Sequence, residues 1–375
     1  MKYLLIIAVL ILAFSPAIAG DSDRFVYATD FGANCQDGED DTRAINQALE
    51  AARVARKSVV LPAGQCILSE TTPDYMLLNR GVSMYGAGAN FNTTLIAGPE
   101  VGNTADFIRF RPEPGDTEYS FVELTGFFIY PDARGRKQGR RGIHFLFDSQ
   151  NNAAKLWIHH LRMGPGNDYS IQFENHPTLN QQGVPSNSLI SDNFLFDGIM
   201  TSNIGDSNTF TRNTIRTSSV LRKGIRLHVI DGGFGSAGHT VISENNIDAK
   251  SNAIEIMNGR RPQIIYNNIE QSAGGDLTSG LIEIGTAAFV DQPLVYGNHI
   301  GVFGTSIQQY GIRVAAANMA RIDDNSLLSD SARTAAIKIE SWANNTLLGV
   351  NQTSGWAFPA NNNSPSTRRI STQPF

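Results

Sequence analysis

The chain reads as an all-β parallel β-helix, one solenoid closed at its N-terminal end by an amphipathic helix. Two periodic columns and a composition predict it. The first column is a motif of small or polar residue, apolar, exposed, apolar, as in Gly142-Ile143-His144-Phe145, Gly224-Ile225-Arg226-Leu227 and Ala253-Ile254-Glu255-Ile256. Its exposed residues stand at 109, 144, 172, 200, 226, 255, 283, 313 and 338, separated by 35, 28, 28, 26, 29, 28, 30 and 25. A period of that size is the signature of a stacked-repeat fold. The second column is apolar-x-x-Asn-x-apolar, with Asn at 193, 213, 245, 267, 298, 325 and 351. Period-2 alternation inside each motif excludes helical repeats of similar length. The 35 Gly and only 17% charged residues in 375 suit a strand-and-turn protein whose inner faces carry no charge.

Residues 1–19 read as a cleaved signal peptide: Lys2 is basic, Tyr3 to Phe14 is apolar, and Ala17-Ile18-Ala19 precedes Gly20. The expected location is secreted or periplasmic. No later segment has the roughly 18 consecutive apolar residues that suggest a spanning helix, so membrane insertion is not expected. In an oxidising compartment Cys35 and Cys66, 31 residues apart, are expected to form a disulfide contributing about 3 kcal/mol. Residues 20–65 form the cap and first strands. Within them Asp40-Asp41-Thr42 offers N-cap chemistry, and Ala44, Ile45, Ala48, Leu49 and Ala52 follow at helical spacing.

Residues 66–358 are assigned to the solenoid, about ten coils of three short strands stacked about 4.8 Å apart. The recurrent Asn is read as the bend residue, because Asn tolerates left-handed backbone angles and stacked Asn side chains can bond to one another. Residues 359–375 read as a polar, poorly ordered tail. The net charge of −5 and the folded composition exclude a disordered chain and a strongly basic nucleic-acid binder.

The segments Asp30-Phe31-Gly32-Ala33, Asp37-Gly38-Glu39-Asp40-Asp41-Thr42-Arg43-Ala44-Ile45, Val59-Val60-Leu61-Pro62-Ala63-Gly64 and Gly86-Ala87-Gly88 resemble the opening of the pectate-lyase superfamily. The resemblance covers roughly residues 26–100. It implies a single-stranded right-handed parallel β-helix (solenoid) with an N-terminal capping helix. That superfamily spans lyases, hydrolases, epimerases and phage tailspikes, so it implies no single reaction. The hydrolase motifs Asn-Thr-Asp, Asp-Asp and Gly-His-Gly are not matched, Gly238-His239-Thr240 being the nearest segment. The Asp-Pro-His-Asp motif of alginate-epimerase-like enzymes is absent too.

Candidate site residues therefore come from the surface map. Four coils present Arg226, Glu255, Glu283 and Arg313 in one column, with His228 beside Arg226. These five are the catalytic candidates. In the leading reading, a polysaccharide lyase cleaves an acidic glycan by β-elimination. Glu255 and Glu283 act as hard oxygen ligands for calcium, the only cofactor expected; an Arg neutralises a uronate carboxylate; and His228 or an Arg serves as base. One alternative is a glycoside hydrolase using Glu255 and Glu283 as its acid/base pair. Another is a non-catalytic carbohydrate-binding or adhesin solenoid, in which the charges are only a surface ladder.

The cations Arg136, Lys137, Arg140 and Arg141, with His144 and Lys338 on the exposed column, are the substrate-binding candidates; the expected partner is an anionic polysaccharide. His159 and His160 lie at a bend and are expected to satisfy local hydrogen bonds.

Overall fold

A computed structural model describes residues 23–369 apart from 70, 88–91, 100, 102–103, 114–119, 131–140, 148–153, 166–167, 176–185, 203–206, 229–237, 276–278, 308 and 365. The first repeat column forms a continuous parallel ladder. Arg109 pairs with His144, then follow Gln172, Met200, Arg226, Glu255, Glu283, Arg313 and Lys338, each on the neighbouring strand. A second ladder carries the strands that enter each bend, and a third carries those that leave it, so three strand faces enclose one core in a solenoid of about nine turns. Apart from a column of inward asparagines, the described interior is mainly apolar: Phe110, Phe145 and Phe173 pack in a row at one end, and the Ile and Val of the later coils are fully buried.

Helix α1 (Thr42–Ala55) buries Ile45, Ala48, Leu49 and Ala52, the stripe its spacing predicts. Its capping differs from the expectation. The Asp41 side chain makes no cap bond to the helix but accepts the backbone N–H groups of Asn34 and Cys35, at 2.8 and 3.2 Å. Asp40 instead accepts the Thr42 N–H and hydroxyl. Asp41 thereby anchors the loop carrying Cys35, which is disulfide-bonded to Cys66.

The bends also differ. None of the seven recurrent asparagines has a positive φ; for six of them the left-handed residue is the one before, namely Asp192, Arg212, Glu244, Tyr266, Gly297 and Asp324, whereas Val350 before Asn351 is not left-handed. The Asn side chain points inward, where it has a demanding role. Each Nδ2 from Asn193 to Asn325 donates to the Oδ1 of the next Asn at 2.9–3.0 Å, and each also reaches a backbone carbonyl. The left-handed strain falls on a neighbour whose side chain reaches outward, so residues as different as Arg212 and Tyr266 occupy it.

At the other end the sheet continues past residue 358. Gln352–Asn362 is a strand whose Asn361 pairs with Lys338, and Arg368–Arg369 pairs with Leu347–Leu348. The described part of 359–375 is built into the stack rather than forming a loose tail, because a polar strand can add its backbone to an open sheet edge without apolar side chains.

Candidate active site

Parallel register places Arg226, Glu255, Glu283, Arg313 and Lys338 side by side on one face, about 4.8 Å from strand to strand. The carboxylates lie deep, Glu255 at 7% and Glu283 at 5% exposure, beneath guanidinium groups that are about a quarter exposed. Arg313 Nη1 donates to Glu283 Oε1 at 2.9 Å, and the Gly280 N–H reaches the same oxygen at 3.1 Å. Arg313 Nε bonds Glu340 at 3.3 Å, with Lys338 Nζ 3.9 Å from that carboxylate.

Glu255 is held differently. Its Oε1 accepts the Thr286 hydroxyl at 3.2 Å. Its Oε2 lies 3.0 Å from Arg226 Nε but is buried without a hydrogen bond, because that N–H is directed at Met257 Sδ, 3.1 Å away. The attraction on Oε2 is therefore Coulombic. Burial pushes the Glu283 carboxyl above its ordinary value, and the Glu255 charge adds to the rise, against the bonds from Arg313 and Gly280. Both bonds to Glu283 fall on Oε1, so a retained proton belongs on Oε2.

This arrangement does not suit calcium, which takes six to eight oxygens. Glu283 Oε1 is taken by Arg313 and Gly280, and Arg226 sits on Glu255 Oε2. Among the described residues, the one convergence of three His, Cys or acidic groups is Cys35, Asp41 and Cys66, where the sulfurs are bonded to each other.

His228 shares the strand and face of Arg226, two residues on. His144 lies elsewhere on the column, separated from Arg226 by Gln172 and Met200. It joins a second cluster that the column alone does not reveal. Asp106, with no exposure, accepts His144 Nδ1 at 2.9 Å, Arg109 Nη2 at 2.8 Å and Arg141 Nη1 at 3.2 Å. His144 Nε2 faces Glu174 Oε2 at 3.1 Å, and Arg141 Nε donates to Gln172 at 2.7 Å. Burial alone would raise the Asp106 pKa, yet His144, Arg141 and Arg109 outweigh it and hold it below the ordinary value. Asp106 escapes the sequence reading because it lies at the strand edge, out of phase with the exposed column. Arg136, Lys137 and Arg140 lie outside the described residues.

Residues 25–245 match the sequence model of a family described as "Rhamnogalacturonase A/epimerase, pectate lyase-like". A search of curated protein sequences found no match. Among solved structures, the chain is similar to the A-module of the Azotobacter vinelandii mannuronan C-5 epimerase AlgE4, at 15% identity and a TM-score of 0.57, covering 92% of this chain and 100% of that one. It is also similar to the Streptococcus pneumoniae surface adhesin PfbA, at 15% identity and 0.57, covering 89% and 90%. A tailspike of the E. coli bacteriophage HK620, in complex with a hexasaccharide, matches at 11% identity and 0.62, covering 94% of this chain and 64% of that one. At these identities the likeness is one of fold.

Proposed function

Because the chain belongs to the rhamnogalacturonase A/epimerase, pectate-lyase-like family, we propose that it is a polysaccharide-acting enzyme that cleaves glycosidic bonds with Glu255 and Glu283. The observation that carries this reading is the in-register carboxylate pair, one member of which has its pKa raised by burial. Two carboxyl groups held in different environments divide into an acid and a base. Glu283 gives its Oε2 proton to the glycosidic oxygen as the bond to the anomeric carbon breaks. Glu255, beside Arg226, attacks or stabilises that carbon. Water then completes hydrolysis, returning a proton to Glu283.

β-Elimination is the second reading, favoured by the placement of His228 beside Arg226 on one strand. There Arg226 neutralises a uronate carboxylate, His228 takes the proton α to it, and the leaving oxygen departs as the double bond forms. The cations between Arg134 and Arg141 support an anionic glycan as substrate. The signal-like leader and the Cys35–Cys66 disulfide support a secreted or periplasmic location.

Incubation with a panel of neutral and acidic polysaccharides tests the reading. New reducing ends are expected without ultraviolet-absorbing unsaturated ends, and Glu283→Gln is expected to lower the rate about a hundredfold or more. Unsaturated ends would select elimination, and His228→Ala would then abolish them. Polymer left intact but retained by the protein would select a binding module.

A further inference from the structure

The strands that leave each bend carry an outward row of their own, on a different face of the coil from Glu255 and Glu283. Three of them, Phe127–Tyr130, Arg162–Met163 and Phe194–Phe196, pair in parallel so that Phe128, Arg162 and Phe194 stand side by side. The Arg162 guanidinium carbon lies 5.2 Å from the centroid of the Phe128 ring and 5.3 Å from that of Phe194. Cation–π attraction to a ring on either side holds the planar group in place. Arg162 is exposed, and its guanidinium makes no hydrogen bond or ion pair among the described residues. Other outward guanidinium groups are already engaged: Arg212 is bidentate on Asp192 at 2.8 Å, and Arg313 holds Glu283 and Glu340. Arg162 thus presents an ordered fork of N–H donors, the shape that matches a carboxylate, and its prior ordering lowers the entropy lost when an anion binds.

Two residues further along these strands the row reads Tyr130, Gly164, Phe196. Tyr130 stands 5.6 Å from Phe128 and Phe196 stands 5.5 Å from Phe194, centroid to centroid, each pair edge to face. The Gly164 N–H bonds Ile129 O at 2.9 Å, so the chain is still in register at the glycine. With no side chain there, the row has a notch between two aromatic residues whose strands lie about 9–10 Å apart. A pyranose packed at van der Waals distance on both sides takes about 7–8 Å. Arg216 neighbours Phe196 in register, lies 5.9 Å from the Phe194 ring, and is likewise exposed and without an ion pair among the described residues. The acidic residues of this row, Asp248 and Glu270, begin only beyond Arg216.

We propose that the notch over Gly164 is a second polysaccharide-binding site, which seats one acidic pyranose between Tyr130 and Phe196 with its carboxylate on the Arg162 fork. The proposal rests on the reading of the chain as a polysaccharide-acting protein and adds a site that holds polymer without cleaving it. A pyranose presents a face of C–H groups that packs on aromatic rings, and a uronate adds the carboxylate that an unpaired guanidinium lacks. Only Asp197 and Gly198, left-handed at φ +69° and +72°, separate Phe196 from strand Ile199–Ser202, whose Met200 pairs with Arg226. Polymer held in the notch therefore lies one corner of the solenoid away from the face that carries Glu255 and Glu283.

The test is affinity electrophoresis of the full chain through gels containing polygalacturonate or alginate, with dextran as the neutral control. Wild type is expected to be retarded by at least one acidic polymer and not by dextran. Arg162→Gln is expected to weaken the apparent affinity about tenfold, and Phe196→Ala about three- to tenfold. Arg43→Gln removes the same charge from the exposed side of helix α1 and is expected to match wild type. Circular dichroism checks that each variant is folded, and the surface change Arg162→Gln keeps the test open should Phe196→Ala unfold. Wild type passing both acidic gels freely, or being held equally by dextran, would overturn the site. So would a folded Arg162→Gln or Phe196→Ala retarded as strongly as wild type, or an equal loss in Arg43→Gln. Glycan cleavage is measured separately: its absence would count against Glu255 and Glu283, whereas retention that ignores Arg162 would count against the notch alone.

Discussion

Replacing Asn267 by Ala removes the middle rung of the inner Asn ladder. Its Oδ1 accepts the Asn245 backbone N–H at 3.0 Å and the Asn245 Nδ2 at 2.9 Å. Its Nδ2 donates to Ile242 O at 2.9 Å, Asn298 Oδ1 at 2.9 Å and Ile265 O at 3.2 Å. Asn245 Nδ2 keeps Phe210 O, and Asn298 Oδ1 keeps the Asn267 backbone N–H. The Asn245 N–H keeps nothing. Leaving that buried donor unmet costs about 1–3 kcal/mol, and the other bonds are worth about 0.5–1.5 kcal/mol each, so the variant is expected to lose about 4 kcal/mol. Its neighbour Asn268 provides the control, since it faces solvent and makes one exposed bond to Asn246; Asn268→Ala should stay within about 0.5 kcal/mol of wild type. Urea denaturation followed by circular dichroism gives both values from midpoint shifts at constant slope. Hydrogen exchange at the Asn245 amide should accelerate only in Asn267→Ala. Equal midpoints for the two variants would refute the claim that the ladder, rather than asparagine as such, holds the bends together.

Two further outcomes follow from the described contacts. Asp106→Asn should destabilise the protein at neutral pH by about 3–5 kcal/mol, because it leaves buried His144 and the partly exposed Arg109 and Arg141 short of the fully buried carboxylate that pairs them. With the folded pKa of Asp106 held below its ordinary 3.8, the contribution is present above the unfolded value and is lost as pH falls through the folded one. The wild-type advantage in urea midpoint should accordingly shrink on acidification below about pH 4. Reducing Cys35–Cys66, which closes a separation of 31 residues, should cost about 3 kcal/mol, seen as a lower unfolding midpoint with reductant than without. An unchanged midpoint after confirmed reduction would show that Asp41 and helix α1 hold this end unaided.

The periodic features were legible in the sequence because a solenoid converts sequence spacing into spatial adjacency. A residue every 25 to 35 positions on one strand face must neighbour its counterparts, so Arg226, Glu255, Glu283 and Arg313 could be aligned without coordinates. The inward stripe of helix α1 and the pairing of Cys35 with Cys66 were legible too. Periodicity says nothing about groups out of phase with it or about how a side chain turns. Tertiary structure decided that Asp106 lies beneath His144, that a left-handed residue precedes six of the seven recurrent Asn, and that Asp41 serves the Cys35 loop rather than the helix. It also decided that Arg226 directs its N–H at Met257, leaving Glu255 Oε2 buried without a hydrogen bond. The physical reason is that register follows from backbone repeat and hydrophobic pattern, whereas pKa, tautomer and ligand geometry depend on burial and on a few ångströms of side-chain placement.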